Sequence, residues 1–262
     1  MNKALSILSL FLLFGTVASA QLDKSTFEKQ VYQNEGFSLN YRILYPEGFD
    51  ANKEYPVVLF LHGAGERGSD NERQLIHGSK LFLAEDFRAD YPVVVIFPQC
   101  PRESYWSTVD VERQPGNNRF TFRDSGKALP PMKAVVALMD SIQSLEYSKD
   151  DQIYVGGLSM GGLGTFEILW RRPEMFAAAF PICGGGNPST VDAYAANTSL
   201  WVFHGAKDDV VFPTYSTDMV IALQKADADV KYTLYKNANH NSWGPAFAEP
   251  QLFPWLFSKS KK

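Results

Sequence analysis

The chain has 262 residues, 45% hydrophobic and 14% aromatic, which is enough apolar material for a sizeable core. Its formal charge is −4, and no basic run of the kind that binds nucleic acid or anionic membrane accompanies it. The lysines at 259–262 read as a solvated tail.

The first segment stands apart. Lys3 precedes an apolar run at 4–17 that is too short to span a bilayer comfortably, and Ala18-Ser19-Ala20 has the A-x-A form of a cleavage site. Residues 1–20 are therefore predicted to be a secretory signal peptide cut before Gln21, giving a secreted or periplasmic protein; an uncleaved membrane anchor is the competing reading. No cysteine lies near the cut, which argues against a lipoprotein anchor. Removal of those 20 residues, Lys3 being the one charge lost, leaves 242 residues and a formal charge of −5. Residues 21–262 contain no repeat, low-complexity linker or composition break, so a single domain is expected.

Residues 37–45 (FSLNYRILY) alternate as a half-exposed strand does. The continuous apolar runs at 57–61 (VVLFL) and 93–97 (VVVIF) fit parallel strands buried on both faces. Residues 153–155, 177–182, 200–203 and 230–235 continue the series. Between them, 132–145 carries Val135, Leu138, Met139 and Ile142 at helical spacing, 161–170 and 217–225 read likewise, and 250–257 makes a short closing helix. The alternation predicts an α/β fold, a mostly parallel twisted sheet of about eight strands with helices on both faces. In such sheets functional groups gather at the carboxyl ends of the strands. Cys100 and Cys183 follow different strands with two others between them. At ~4.8 Å per strand their Cα atoms start ~14 Å apart, so two free, partly buried thiols are expected although export permits a disulfide.

Gly157-Leu158-Ser159-Met160-Gly161 has the form G-x-S-x-G, with DQIYV before it and GLGTFEILW after it. A strand turning directly into a helix leaves no room for Cβ atoms beside the serine. Its Oγ is then exposed at the positive end of the helix. A plain glycine-rich turn is the bland alternative. Nucleotide loops fail on spacing: no lysine and hydroxyl residue follow Gly162, and Gly162-Leu163-Gly164 runs into Thr165-Phe166-Glu167 rather than reaching a third glycine.

A nucleophile at such a turn is followed along the chain by an acid and then a histidine. Among His62, His77, His204 and His240, only His240 in the loop KNANHNSW comes after the acid as well. His204 ends the preceding strand ahead of the acid, His62 precedes glycine, and His77 lies in a polar segment expected at the surface. HGAKDDVVFP offers Asp208 and Asp209; Asp208 is preferred, since one inward carboxylate suffices to orient the imidazole. Both could instead be ordinary turn residues. No carboxylate or histidine cluster accompanies them, so no metal is predicted. His62-Gly63-Ala64-Gly65 follows VVLFL where an anion-binding turn belongs. Ala64 is the expected N–H donor, Gly63 or Gly65 the alternatives, and Met160 the second donor. Trp106 and Trp243 lie near strand ends and either line a substrate pocket or pack in the core. Glu66-Arg67 reads as an ion pair ordering the loop.

Taken in order, LHGAGERGSDN, FPQCP, GLSMGGLGTF, PICGGG, FHGAKDDVVFP and NHNSW resemble the secreted bacterial esterase branch of the α/β-hydrolase superfamily. That branch is related to feruloyl and acetyl-xylan esterases, polyhydroxybutyrate depolymerase-like esterases and the catalytic domain of prolyl oligopeptidases. The likeness runs from about Phe37 to the C-terminus. It implies Ser159, Asp208 and His240 as the triad but does not choose the substrate; the reaction expected is hydrolysis of short-chain or carbohydrate-linked esters through an acyl-enzyme, without cofactor. One departure is Val211-Phe212-Pro213, where the acid turn often ends Val-Pro. A prolyl oligopeptidase-type peptidase and a non-catalytic glycan-binding module are the rival readings; the oligomeric state is left open.

Overall fold

The computed structural model describes residues 23–34, 36–114 and 118–261; the expected leader at 1–20 lies outside them. Along the chain run β1 (Glu28–Asn34), β2 (Phe37–Leu44), β3 (Tyr55–Leu61), α1 (Ser79–Leu83), α2 (Glu85–Asp90), β4 (Val94–Pro98), β5 (Val109–Glu112) and β6 (Arg119–Phe122). They are followed by α3 (Pro130–Gln143), β7 (Ser148–Leu158), α4 (Met160–Arg171), β8 (Ala178–Ile182), β9 (Ser199–Gly205), α5 (Pro213–Lys225), β10 (Val230–Tyr235), α6 (Trp243–Phe247) and α7 (Leu252–Phe257).

Eight strands form one sheet in the order β1-β2-β4-β3-β7-β8-β9-β10, and β5 pairs with β6 in a separate hairpin. The β1–β2 and β2–β4 pairings are antiparallel; every pairing from β4 through β3, β7, β8 and β9 to β10 is parallel. The two-residue period of a strand explains the layering. Val57, Leu59 and Leu61 of β3 pack into one core with α3, α4 and α5, whereas Val58 and Phe60 pack into the other with α1, α2 and α7. Because both faces are covered, the central strands must be apolar throughout, which is the pattern VVLFL announces.

The helix read at 132–145 begins two residues earlier, at Pro130-Pro131, where a missing N–H leaves no intrahelical bond unmade. Strand β7 reaches back to Ser148 through Lys149, Asp150 and Asp151, so the apolar run at 153–155 marks only its buried part. Strand β1 (EKQVYQN) carries almost no apolar signal, yet it pairs with β2 along its full length.

Cys100 and Cys183 are both buried and free, and β3 and β7 separate their parent strands. Burial pushes both thiols up from their usual range, Arg67 opposing this at Cys100 and the Asp208 charge adding to it at Cys183. A thiol reagent such as dithionitrobenzoate is therefore expected to leave the native chain unlabelled and to titrate both thiols once the chain is unfolded in guanidinium; fast labelling of folded protein would contradict this packing.

Candidate active site

Strand β7 passes into α4 with Ser159 as the one residue between them. Ser159 has φ 54° and ψ −118°, a conformation that residues with a side chain rarely adopt. Crowding explains its neighbours. A Cβ on Gly161 would lie 1.8 Å from the Leu61 carbonyl oxygen, and one on Gly157 would lie 2.4 Å from the Gly161 oxygen. Neither position accepts any residue but glycine, because the clashes are with backbone. The Ser159 N–H donates to the Ile182 carbonyl at 2.9 Å, which ties the turn to the end of β8.

The side chains expected to meet this serine do so. Ser159 Oγ lies 2.9 Å from His240 Nε2, and His240 Nδ1 lies 2.8 Å from Asp208 Oδ2. Two loops make this possible. The Ala206 N–H donates to the Tyr235 carbonyl at 3.0 Å, and the Lys207 N–H to that of Ala238 at 2.9 Å, so the loops after β9 and β10 are stitched together. Asp208 is buried and Asp209 is exposed. Burial alone would push the Asp208 carboxyl up. Hydrogen bonds from His204, His240 and the Val210 N–H outweigh it and hold the group well below the usual carboxylate range. Ionised, the carboxylate keeps the hydrogen of His240 on Nδ1 and leaves Nε2 free to accept from serine.

The turn after β3 reaches the same cleft as Ser159. Ala64 opens a one-turn 3-10 helix (Ala64–Glu66) and Met160 opens α4, so neither N–H has a partner within its own helix. Both residues line the cleft that contains Ser159. The turn hangs from His62, which is wholly buried: its Nε2 accepts from the Cys100 N–H at 3.0 Å, and its Nδ1 donates to the Gly63 carbonyl at 2.7 Å.

The cleft holds about 280 Å³. Leu163, Val211 and the hairpin residues Val111 and Phe120 give it an apolar wall, while Glu66, His77 and Trp243 line a more polar part. Trp243 packs edge-to-face on His240, ring centroids 5.6 Å apart. Trp106 does not line the cleft. It is fully buried, its Nε1 donates to the His62 carbonyl at 3.1 Å, and it packs beside Gly164, so its role is to back the loop. The expected Glu66–Arg67 pair gives way to different partners. Glu66 faces His77 at 3.8 Å, and Arg67 donates to the Ala64 and Ser104 carbonyls at 3.0 and 3.1 Å. His77, expected at the surface, is half-buried and stands between Glu66 and Trp243; nothing in the polar stretch around it marks this.

Among the described residues, one trio of potential metal ligands gathers: donor atoms of Cys183, Asp208 and His240 lie within 4.8 Å of one another. Burial keeps the Cys183 thiol protonated, and Asp208 Oδ2 already accepts from imidazoles. A metal ion there would have to break the Asp208–His240 bond.

This sheet order, with a serine on a strand-to-helix turn and an acid and a histidine at later strand ends, defines the α/β-hydrolase fold. Residues 36–251 match the family Esterase, described as "Putative esterase", and the chain belongs to that family. A solved structure described as a thermostable esterase superposes with a TM-score of 0.80 at 33% identity, over 90% of this chain and 64% of that one. The "Probable dipeptidyl-peptidase 5" of Aspergillus niger is 25% identical over 69% of this chain but only 23% of its own length. Feruloyl esterase B of Thermothelomyces thermophilus is 22% identical over 78% of this chain and 75% of its own. The chain thus spans less than two thirds of the first two.

The His62 environment has a measurable consequence. Burial, aided by the Arg67 charge and opposed by the bond to Gly63, pushes its imidazole down to about 4. An unfolded chain protonates this group near 6.5, so its stabilising contribution is complete above that pH and is lost as pH falls towards 4. Denaturant unfolding should show the wild type losing ~3 kcal/mol between pH 7 and pH 4 that a His62→Gln variant does not lose. Equal losses in the two proteins would contradict a neutral, buried His62.

Proposed function

We propose that the chain is a serine carboxylesterase in which Ser159 is the nucleophile, His240 the general base and Asp208 the orienting acid. The observation that carries this reading is the unbroken line of hydrogen bonds from Ser159 Oγ through the His240 ring to Asp208, 2.9 and 2.8 Å. His240 Nε2 takes the hydroxyl proton as Oγ attacks the ester carbonyl. The oxyanion is received by the Ala64 and Met160 N–H groups, each such donor typically contributing ~3 kcal/mol in the transition state. His240 then protonates the departing alcohol, leaving an acyl group on Ser159. Water activated by the same imidazole releases the acid and restores the hydroxyl. Side chains, two backbone N–H groups and water suffice for this sequence, so no metal or organic cofactor enters it.

The apolar wall of Val111, Phe120, Leu163 and Val211 suits an acyl group. The part lined by Glu66, His77 and Trp243 suits an alcohol that carries hydroxyls. Together with the feruloyl esterase relative, this favours short-chain or carbohydrate-linked esters. Residues 21–262 then act as one exported domain after removal of the leader, and N-terminal sequencing of protein recovered from the host's periplasm or medium should begin at Gln21.

Ser159→Ala is expected to lower kcat on p-nitrophenyl acetate by about 10⁴-fold or more, and Asp208→Asn by a comparable factor, whereas Asp209→Asn should stay near wild type. Retained turnover in folded Ser159→Ala would refute the assignment. Faster turnover of peptidyl amides than of esters would move the reading to a peptidase. A folded chain that a serine-directed fluorophosphonate fails to label would move it to a non-catalytic module.

A further inference from the structure

The charge-bearing end of the proposed triad has a second imidazole on it. His204, on β9, is wholly buried. Its Nε2 lies 3.1 Å from Asp208 Oδ2, the oxygen that also receives His240, and 2.8 Å from the Val211 carbonyl oxygen. Both neighbours can only accept, so Nε2 carries a hydrogen and donates it. On the far side, Nδ1 lies 2.7 Å and the Gly184 carbonyl oxygen 2.8 Å from Ser216 Oγ; with the ring hydrogen on Nε2, the single Ser216 hydroxyl hydrogen is shared between these two acceptors. Ser216 belongs to α5 and is buried as well. The other carboxylate oxygen, Oδ1, accepts from the Val210 and Val211 N–H groups at 2.9 and 3.0 Å.

We propose that His204 is a positioning residue of this centre, sharing Asp208 Oδ2 with His240 and setting the carboxylate at the angle His240 needs. The inference rests on the triad reading above and goes one residue beyond it. Each oxygen of Asp208 has two lone-pair sites to satisfy. The loop's own N–H groups fill Oδ1 from one direction, which leaves the carboxylate free to pivot about that end. A second donor on Oδ2, beside His240, opposes the pivot, and it comes from outside the loop, since among the described residues the loop's N–H groups bond to Oδ1. His204 supplies it from the rigid strand β9. Ser216 and the Gly184 carbonyl supply the far anchorage, and Gly184 itself packs against Gly162 in the first turn of α4. One buried path of hydrogen bonds and close packing thus joins the acid to the segment that bears the nucleophile.

The test measures kcat and KM per active site, titrated with a fluorophosphonate, alongside thermal unfolding. His204→Leu removes the donor, and His204→Gln keeps an N–H close to the position of Nε2. The expected result is a kcat lowered about 10-fold in the first with KM unchanged, and recovery to within about 3-fold of wild type in the second. Ser216→Ala retains the imidazole and loosens its far side, so kcat should fall about 3-fold, again at constant KM. A residue that merely fills space would change the melting temperature and leave kcat of the folded, titrated sites alone. Should His204→Leu fail to fold, Ser216→Ala decides: wild-type kcat in that variant overturns the proposal. Ser159→Ala separates the two levels of inference. Turnover retained there sinks the triad itself; an inactive Ser159→Ala combined with wild-type kcat in both His204→Leu and Ser216→Ala sinks only the role of His204.

Discussion

The backbone of α4 begins so close to the end of β3 that Gly161 and the Leu61 carbonyl share space no methyl group could occupy. That approach bends the chain at Ser159 into a sparsely populated conformation, and the sheet on either side holds it there. Parallel neighbours β3 and β8 flank β7, and the N–H of Ser159 is claimed by Ile182 at the end of β8. A strained turn persists only where surrounding structure over-determines it. Here the over-determination also sets the direction of Oγ and leaves the first N–H of α4 without an intrahelical partner.

The acid and the histidine are handled differently. They sit on loops, where backbone is soft, and each loop gains stiffness from the other through the bonds of Ala206 and Lys207 to Tyr235 and Ala238. The carboxylate is buried, which taken alone disfavours its charge, yet four donors converge on it. Hydrogen bonding wins over desolvation at Asp208 because every lone-pair direction has a polar hydrogen to meet. At His62 the balance falls the other way. That ring is just as deeply buried, and its one acceptor partner for Nδ1, the Gly63 carbonyl, is too little to favour a second proton.

Much of this was legible in the sequence because it is local or strongly periodic. The buried strands declare themselves as unbroken apolar runs, and the motif around Ser159 names its own crowding. Asp208 and His240 followed from their order along the chain, and the structure brings both to Ser159. What escaped was non-local. Trp106 near a strand end could have faced either way, and the depth of the adjoining loop turned it inward. Glu66 and Arg67 are adjacent with opposite charges, but a one-turn helix points their side chains to different partners. The β5–β6 hairpin has apolar alternation in Val109 and Val111, then Phe120 and Phe122, around a Pro-Gly-Asn stretch, a signal present in the letters but faint beside the strong strands. His204 looked misplaced because its contribution depends on what stands opposite it in three dimensions.

The strand that leads into the His240 loop is the last of the sheet. β10 is paired on one side alone, and Leu234 on it is 46% exposed. Ser159, by contrast, issues from the interior of the sheet. An edge strand is where local opening costs least, and a chain that opened at β10 would draw the His240 loop with it while the middle of the sheet stayed paired. Gentle warming should draw His240 away from Ser159 before the sheet melts, and cooling should restore the contact, since the turn at Ser159 has not been disturbed.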